Sequence, residues 1–153
     1  MAVDARGVAV VTLSRSEKRN ALSAQMMDEL TAVAQACDAD PAVRVVVLAA
    51  EGDVFCAGGD LGWMREQMAA DAAARTREAR RLADMLQRLN TLSKPLIGRV
   101  QGDAFGGGVG MTCVCDAVVA VDTALFGLTE TRLGLIPATI GPYVMARMGE
   151  GRA

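Results

Sequence analysis

"KPLIGRVQGDAFGGGVGMTCVCDAVVAV", residues 94–121, is the stretch that decides the fold. Pro95 and the apolar run behind it begin a strand over 94–102, and "AVVAV" at 117–121 makes another. Between them, "GDAFGGGVGM" places five glycines in ten positions and opens a helix containing "VGMTCVC". Strand, glycine turn, helix and strand form the unit that joins parallel strands. Glycine is costly inside regular structure, so bare backbone at this density implies that another group approaches closely.

The same order recurs upstream. "VAVVTL" (8–13) is a short β-branched strand, and 23–40 spaces Met26, Leu30, Val33, Ala34 and Cys37 as one helix face behind a Ser23 N-cap. "VRVVVLAA" (43–50) has the continuous apolar pattern of a strand covered on both faces. A second glycine-rich loop fills 51–64, and 65–92 reads as one long helix with Leu82, Met85, Leu86 and Leu89 on its inner side. Arg75, Arg77, Arg80, Arg81 and Arg88 alternate with Glu66, Glu78 and Asp84, as on a solvated face. No internal repeat or low-complexity linker stands out. The expectation is one α/β domain over residues 1–153 with parallel strands. "GPYVMARMGEGRA" (141–153) begins a further apolar helix with little chain left to cover it, so the sequence reads as a fragment or as a domain completed by partner subunits.

Composition narrows the chemistry. The 153 residues are 52% hydrophobic and 22% charged, enough for a packed core. A net charge of -2 argues against nucleic acid as the main partner. No apolar run approaches the ~18 residues of a membrane span, and the N-terminus lacks the order of a signal peptide. A cytoplasmic protein without a membrane partner is expected. The chain has no histidine, which excludes Ser-His-Asp and Cys-His catalysis within one subunit. Cys37, Cys56, Cys113 and Cys115 lack metal-site or redox spacing and read as small core residues; no metal is expected. Proton transfer therefore falls to Asp, Glu, Lys, Tyr or Cys.

Both glycine loops follow a strand and precede a helix, the place where parallel sheets bind ligands. Unpaired N–H groups at helix starts suit an anion or oxyanion. The nucleotide fingerprints fail on spacing: Met111 stands where a dinucleotide turn needs its last glycine, and no lysine follows either cluster.

"RSEKRNALSAQMMDEL" (15–30), "FCAGGDLGWM" (55–64), "GDAFGGGVGMTCVCD" (102–116) and "ALFGLTETRLGLIP" (124–137) resemble, in order, four signatures of the enoyl-CoA hydratase/isomerase, or crotonase, superfamily. The resemblance implies a spiral of stacked ββα turns, here incomplete at its C-terminus, in trimers or dimers of trimers. It implies an acyl-CoA thioester as ligand, coenzyme A being part of the substrate rather than a separate cofactor. By motif match, the peptide N–H groups of Gly59 and Gly107 form an oxyanion hole, and Glu130 is the acid–base residue. Ala57, whose carbonyl matches the adenine contact, and Gly58, Gly106 and Gly110 are the matched substrate-binding positions. Asp60 reads as a helix N-cap. Gly62 replaces a lysine that contacts CoA in many relatives, leaving Lys18 and Arg19 as substitutes. Hydratases of the common type carry another glutamate at the position of Gly110, and neither Asp103 nor Asp116 replaces it. With that departure, the chain is similar to hydratases of branched, carboxylated thioesters such as 3-methylglutaconyl-CoA or isohexenylglutaconyl-CoA. A single-glutamate isomerase and an inactive, truncated acyl-CoA-binding fragment are the alternatives.

Overall fold

The computed structural model describes all residues from Met1 to Ala153. β1 (Ala2–Val3) pairs antiparallel with β2 (Val8–Leu13), which leads through a 3-10 turn at Ser16–Lys18 to α1 (Ala24–Ala39). Three further passes follow one plan. β3 (Val45–Ala50) and β4 (Val54–Cys56) precede α2 (Leu61–Ala69) and α3 (Ala72–Asn90). β5 (Leu96–Val100) and β6 (Asp103–Phe105) precede α4 (Gly107–Cys113). β7 (Ala117–Ala120) and β8 (Phe126–Gly127) precede a 3-10 turn at Thr129–Leu133 and α5 (Gly141–Met148).

Each pass gives one strand to a five-stranded sheet, ordered β1-β2-β3-β5-β7, and one to a three-stranded sheet, β4-β6-β8. All pairings except β1·β2 are parallel. The molecule is therefore repetitive although its sequence shows no repeat. The first pass contributes to the small sheet only through a bridge between Leu22 and Gly59.

Local chemistry sets the boundaries. Ser23 caps α1, its Oγ accepting from the Met26 N–H at 3.2 Å. Two carboxylates tie neighbouring passes together: Asp116 accepts from Leu96 N–H at 2.7 Å and Asp103 from Leu125 N–H at 2.9 Å. The core lies between the large sheet and the helices. Val46, Leu48, Leu96 and Val100 face Met27, Leu30, Ala34 and Cys37 of α1 and Met85, Leu86 and Leu89 of α3, with Phe55 fully enclosed. The cysteines belong to this interior, and burial pushes the Cys56 and Cys115 thiols up to about 12.

Two expectations need correction. Residues 65–92 are not one helix: Ala70 and Asp71 are both extended, and the Asp71 carboxylate accepts from Ala74 N–H at 2.7 Å, starting α3 afresh. The strands over 43–50 and 94–102 shorten to Val45–Ala50 and Leu96–Val100. The small sheet, of strands two or three residues long, has no counterpart in the residue patterns and supplies the second strand of each ββα turn that the resemblance implies. At the last helix the chain buries Ile140 and Val144 against the core but leaves Met145 and Met148 each 46% exposed, in keeping with the expectation that little chain remains to cover it. Every residue of β7 is exposed, Val119 to 67%. No helix is long and apolar enough to cross a membrane.

Candidate active site

The β4–α2 and β6–α4 turns meet edge to edge. Gly58 and Gly106 have φ of +93° and +49°, backbone that favours glycine. A Cβ on Gly58 would lie 3.1 Å from the Phe105 carbonyl oxygen and 3.7 Å from the Gly107 nitrogen. A Cβ on Gly108 would lie 2.5 Å from the Cys56 carbonyl oxygen. The glycines are required because one turn's main chain packs on the other's.

The close approach leaves two donors free. Gly107 is the first residue of α4, so its N–H has no intrahelical acceptor, and no turn or side-chain acceptor takes it. The Gly59 N–H is likewise unbonded, although Leu22 N–H donates to Gly58 O at 2.7 Å and Asp60 N–H to Leu22 O at 3.0 Å. Asp60 caps α2, accepting from Gly62 and Trp63 N–H, and pairs with Arg15 at 2.8 Å. Those partners, Trp63 N–H first, hold its carboxyl below the usual carboxylate range.

Glu130 reaches this place from the last pass, in the 3-10 turn after β8. Gly106 N–H donates to Gly127 O at 2.9 Å, docking that pass onto the β6–α4 turn. The carboxylate then fits against bare backbone: a Cβ on Gly106 would lie 2.9 Å from Glu130 Oε1. Oε2 is buried and has no hydrogen-bond partner. A buried carboxylate oxygen without a donor is costly to maintain and marks a group positioned for a ligand or a proton.

Two cavities adjoin the carboxylate. One, of about 600 Å³, carries the charged side chains and is lined by Lys18, Arg19, Ala57, Gly58, Gly106 and Arg132 among others. The other, of about 160 Å³, is more apolar and lined by Leu22, Trp63, Leu82, Gly107, Pro137 and Ile140 among others. Gly59, Met64 and Glu130 line both. A ligand with a charged end and an apolar end would thus cross the two amides and the carboxylate where the cavities meet.

These features together have a precedent, because a model of the enoyl-CoA hydratase/isomerase family matches residues 4–153. The chain belongs to that family. It is 39% identical over 143 residues to the enoyl-CoA hydratase ACTT6 of Alternaria alternata, a match covering 94% of this chain and 46% of that protein. The crystal structure of an enoyl-CoA hydratase from Shewanella pealeana superposes with a TM-score of 0.96 at 39% identity, covering 99% of this chain and 57% of that one. Pseudomonas aeruginosa AtuE gives 0.93 at 40% identity, covering 97% and 58%. The fold is the crotonase fold, and the chain spans about half the length of the relatives it matches.

Six of the seven matched positions, Ala57, Gly58, Gly59, Gly106, Gly107 and Glu130, line one cavity or the other. Gly110 does not. It is buried inside α4, where its Cβ would lie 2.5 Å from Ile140 Cγ2, so an isoleucine fills the space and no ligand reaches it. Lys18 and Arg19 do line the larger of these two cavities. Sequence reading missed Leu22, Arg132 and the apolar wall from Ile136 to Ile140. "RNALS" (19–23) and "RLGLIPATI" (132–140) held those residues, with no spacing signal to separate lining from core.

Proposed function

We propose that this chain carries the enolate-stabilising site of an enoyl-CoA hydratase, acting on a branched, carboxylated enoyl-CoA such as 3-methylglutaconyl-CoA. The observation that carries the reading is one unsatisfied, buried carboxylate oxygen beside two unbonded peptide N–H groups. The thioester oxygen accepts from Gly59 and Gly107 N–H. When water adds to the β-carbon, the π electrons move onto that oxygen, and the two fixed dipoles stabilise the enolate. Loss of one such donor costs about 3–4 kcal/mol of barrier. Glu130 takes the proton released by the attacking water and returns it to the α-carbon, so protons balance. Lys18 and Arg19 supply positive charge for the phosphates of coenzyme A, which enters as part of the substrate; the reading calls for no separate cofactor.

The branched, carboxylated substrate rests on Gly110. With Ile140 filling that position the protein offers one carboxylate, and the reading takes the substrate's own carboxylate as the second charged group. The same single carboxylate favours a second reading, double-bond isomerisation, in which Glu130 moves a proton between two carbons. The exposed apolar residues of β7 and β8 support assembly into a homotrimer or hexamer.

The test compares the parent with Glu130→Gln on 3-methylglutaconyl-CoA, with products read by mass. Hydration adds one water and isomerisation none. Equal rates in the two proteins would remove Glu130 from the mechanism. Binding has its own readout: Trp63 is the single tryptophan and lines the apolar cavity, so its fluorescence should change as a thioester is titrated in. No change, with no turnover, would mark an inactive fragment.

A further inference from the structure

We infer that Asn20 is a positioning residue that fixes where the Gly59 amide points, a role resting on the reading of Gly59 and Gly107 as the oxyanion hole. Asn20 is completely buried, with φ of +52°, a left-handed conformation that asparagine tolerates better than most residues. Its side chain is bonded at every atom that can bond. Nδ2 donates to Glu51 O at 2.9 Å and to Val54 O at 2.9 Å, gripping both sides of the β3–β4 turn. Oδ1 accepts from Arg15 N–H at 2.9 Å, closing the 15–20 loop on itself. A buried amide so satisfied fixes two segments that no regular strand pairing joins there.

The segment it anchors holds the site. Ala57 N–H donates to Arg19 O at 3.0 Å, Leu22 N–H to Gly58 O at 2.7 Å and Asp60 N–H to Leu22 O at 3.0 Å. Gly59 is thus suspended between two peptide groups whose partners belong to Leu22. The Leu22 side chain also reaches the second turn: a Cβ on Gly107 would lie 2.7 Å from Leu22 Cδ1. One residue therefore spaces both amides, and Asn20 locks the loop that carries it. An isolated bridge has little of its own to hold it in register, so the lock falls to the side chain.

The test uses the intact chain with two variants. Asn20→Gly keeps the positive φ and removes the clamp; Asn20→Asp keeps the shape and the Oδ1 acceptor but sets a carboxylate against two carbonyls. Hydrogen exchange is read at the Ala57, Leu22 and Asp60 amides against Val46 and Leu48 of β3. The expected result is exchange at least about tenfold faster at the first set, with the β3 amides unchanged. In the same proteins kcat should fall on the order of 10- to 100-fold while thioester affinity stays within about twofold, because misplacing a catalytic group by about 1 Å has that effect. A purely structural residue would speed exchange at both sets and leave the kcat of the folded fraction intact, and that outcome overturns the inference. If the parent turns over no thioester, the proposed function fails, while the exchange comparison still decides what Asn20 holds.

Discussion

Replacing Gly110 by alanine tests the account of the missing carboxylate. The new Cβ would lie 2.5 Å from Ile140 Cγ2, 3.0 Å from Ile140 Cβ and 3.6 Å from Leu86 Cδ2. The first two distances are too short, and Ile140 is 3% exposed, so it has little room to retreat. Overpacking of this kind costs about 1–3 kcal/mol. Alanine recovers about 1 kcal/mol over glycine in a helix interior. The net loss is about 0–2 kcal/mol, or a Tm lower by up to about 8 °C for a chain of this size. Ile140→Ala alone should cost about 2–5 kcal/mol through its cavity. In the double variant the added methyl occupies space that Cγ2 has vacated. The pair should therefore be less destabilised than the sum, with about 1–3 kcal/mol of coupling. Urea unfolding of the parent and three variants closes the cycle. Strict additivity, or a Gly110→Ala variant more stable than its parent by the full helix-propensity gain, would refute the packing of Ile140 against Gly110.

Two further predictions address the surroundings of the site. The lowered Asp60 carboxyl adds stability that is present above its unfolded pKa near 3.8 and lost as pH falls through the lower folded value. The advantage of the parent over Asp60→Asn should hold at pH 7 and vanish at acid pH; superimposable unfolding midpoints throughout would exclude the Arg15 pairing as a source of stability. Burial raises all four thiols, most in Cys56 and Cys115, so the half-buried Cys113 should alkylate first at pH 8 and the others only in denaturant. Early labelling of Cys56, followed by mass, would contradict the enclosed small sheet.

β2, β3 and α1 were legible because their apolar pattern extends over six or more residues, as in "VAVVTL" and 24–39, whereas the two-residue β1 was not. The small sheet was not, since strands of two or three residues carry no period. The break at Ala70 was written in Asp71, but an aspartate within a polar run resembles any surface residue until its carboxylate is seen capping α3. The glycines announced close backbone approach, and the motif match placed Glu130 near them. What Gly110 touches depended on Ile140, 30 positions along the chain, which no local pattern connects to it. Asn20 gave no signal either, because its partners at Glu51 and Val54 come from the next pass.

Leu22, Gly59, Gly107 and Glu130 each come from a different one of the four successive passes. No single coil of the spiral contains the whole site; on the proposed reading, chemistry requires all four to be stacked. Fraying of the outermost coil, which carries Glu130 behind the uncovered β7, would dismantle the proposed site while most of the hydrophobic interior stayed intact. In rising denaturant, turnover should then disappear before the far-ultraviolet signal does, and the gap between the two transitions measures how loosely that last coil is held.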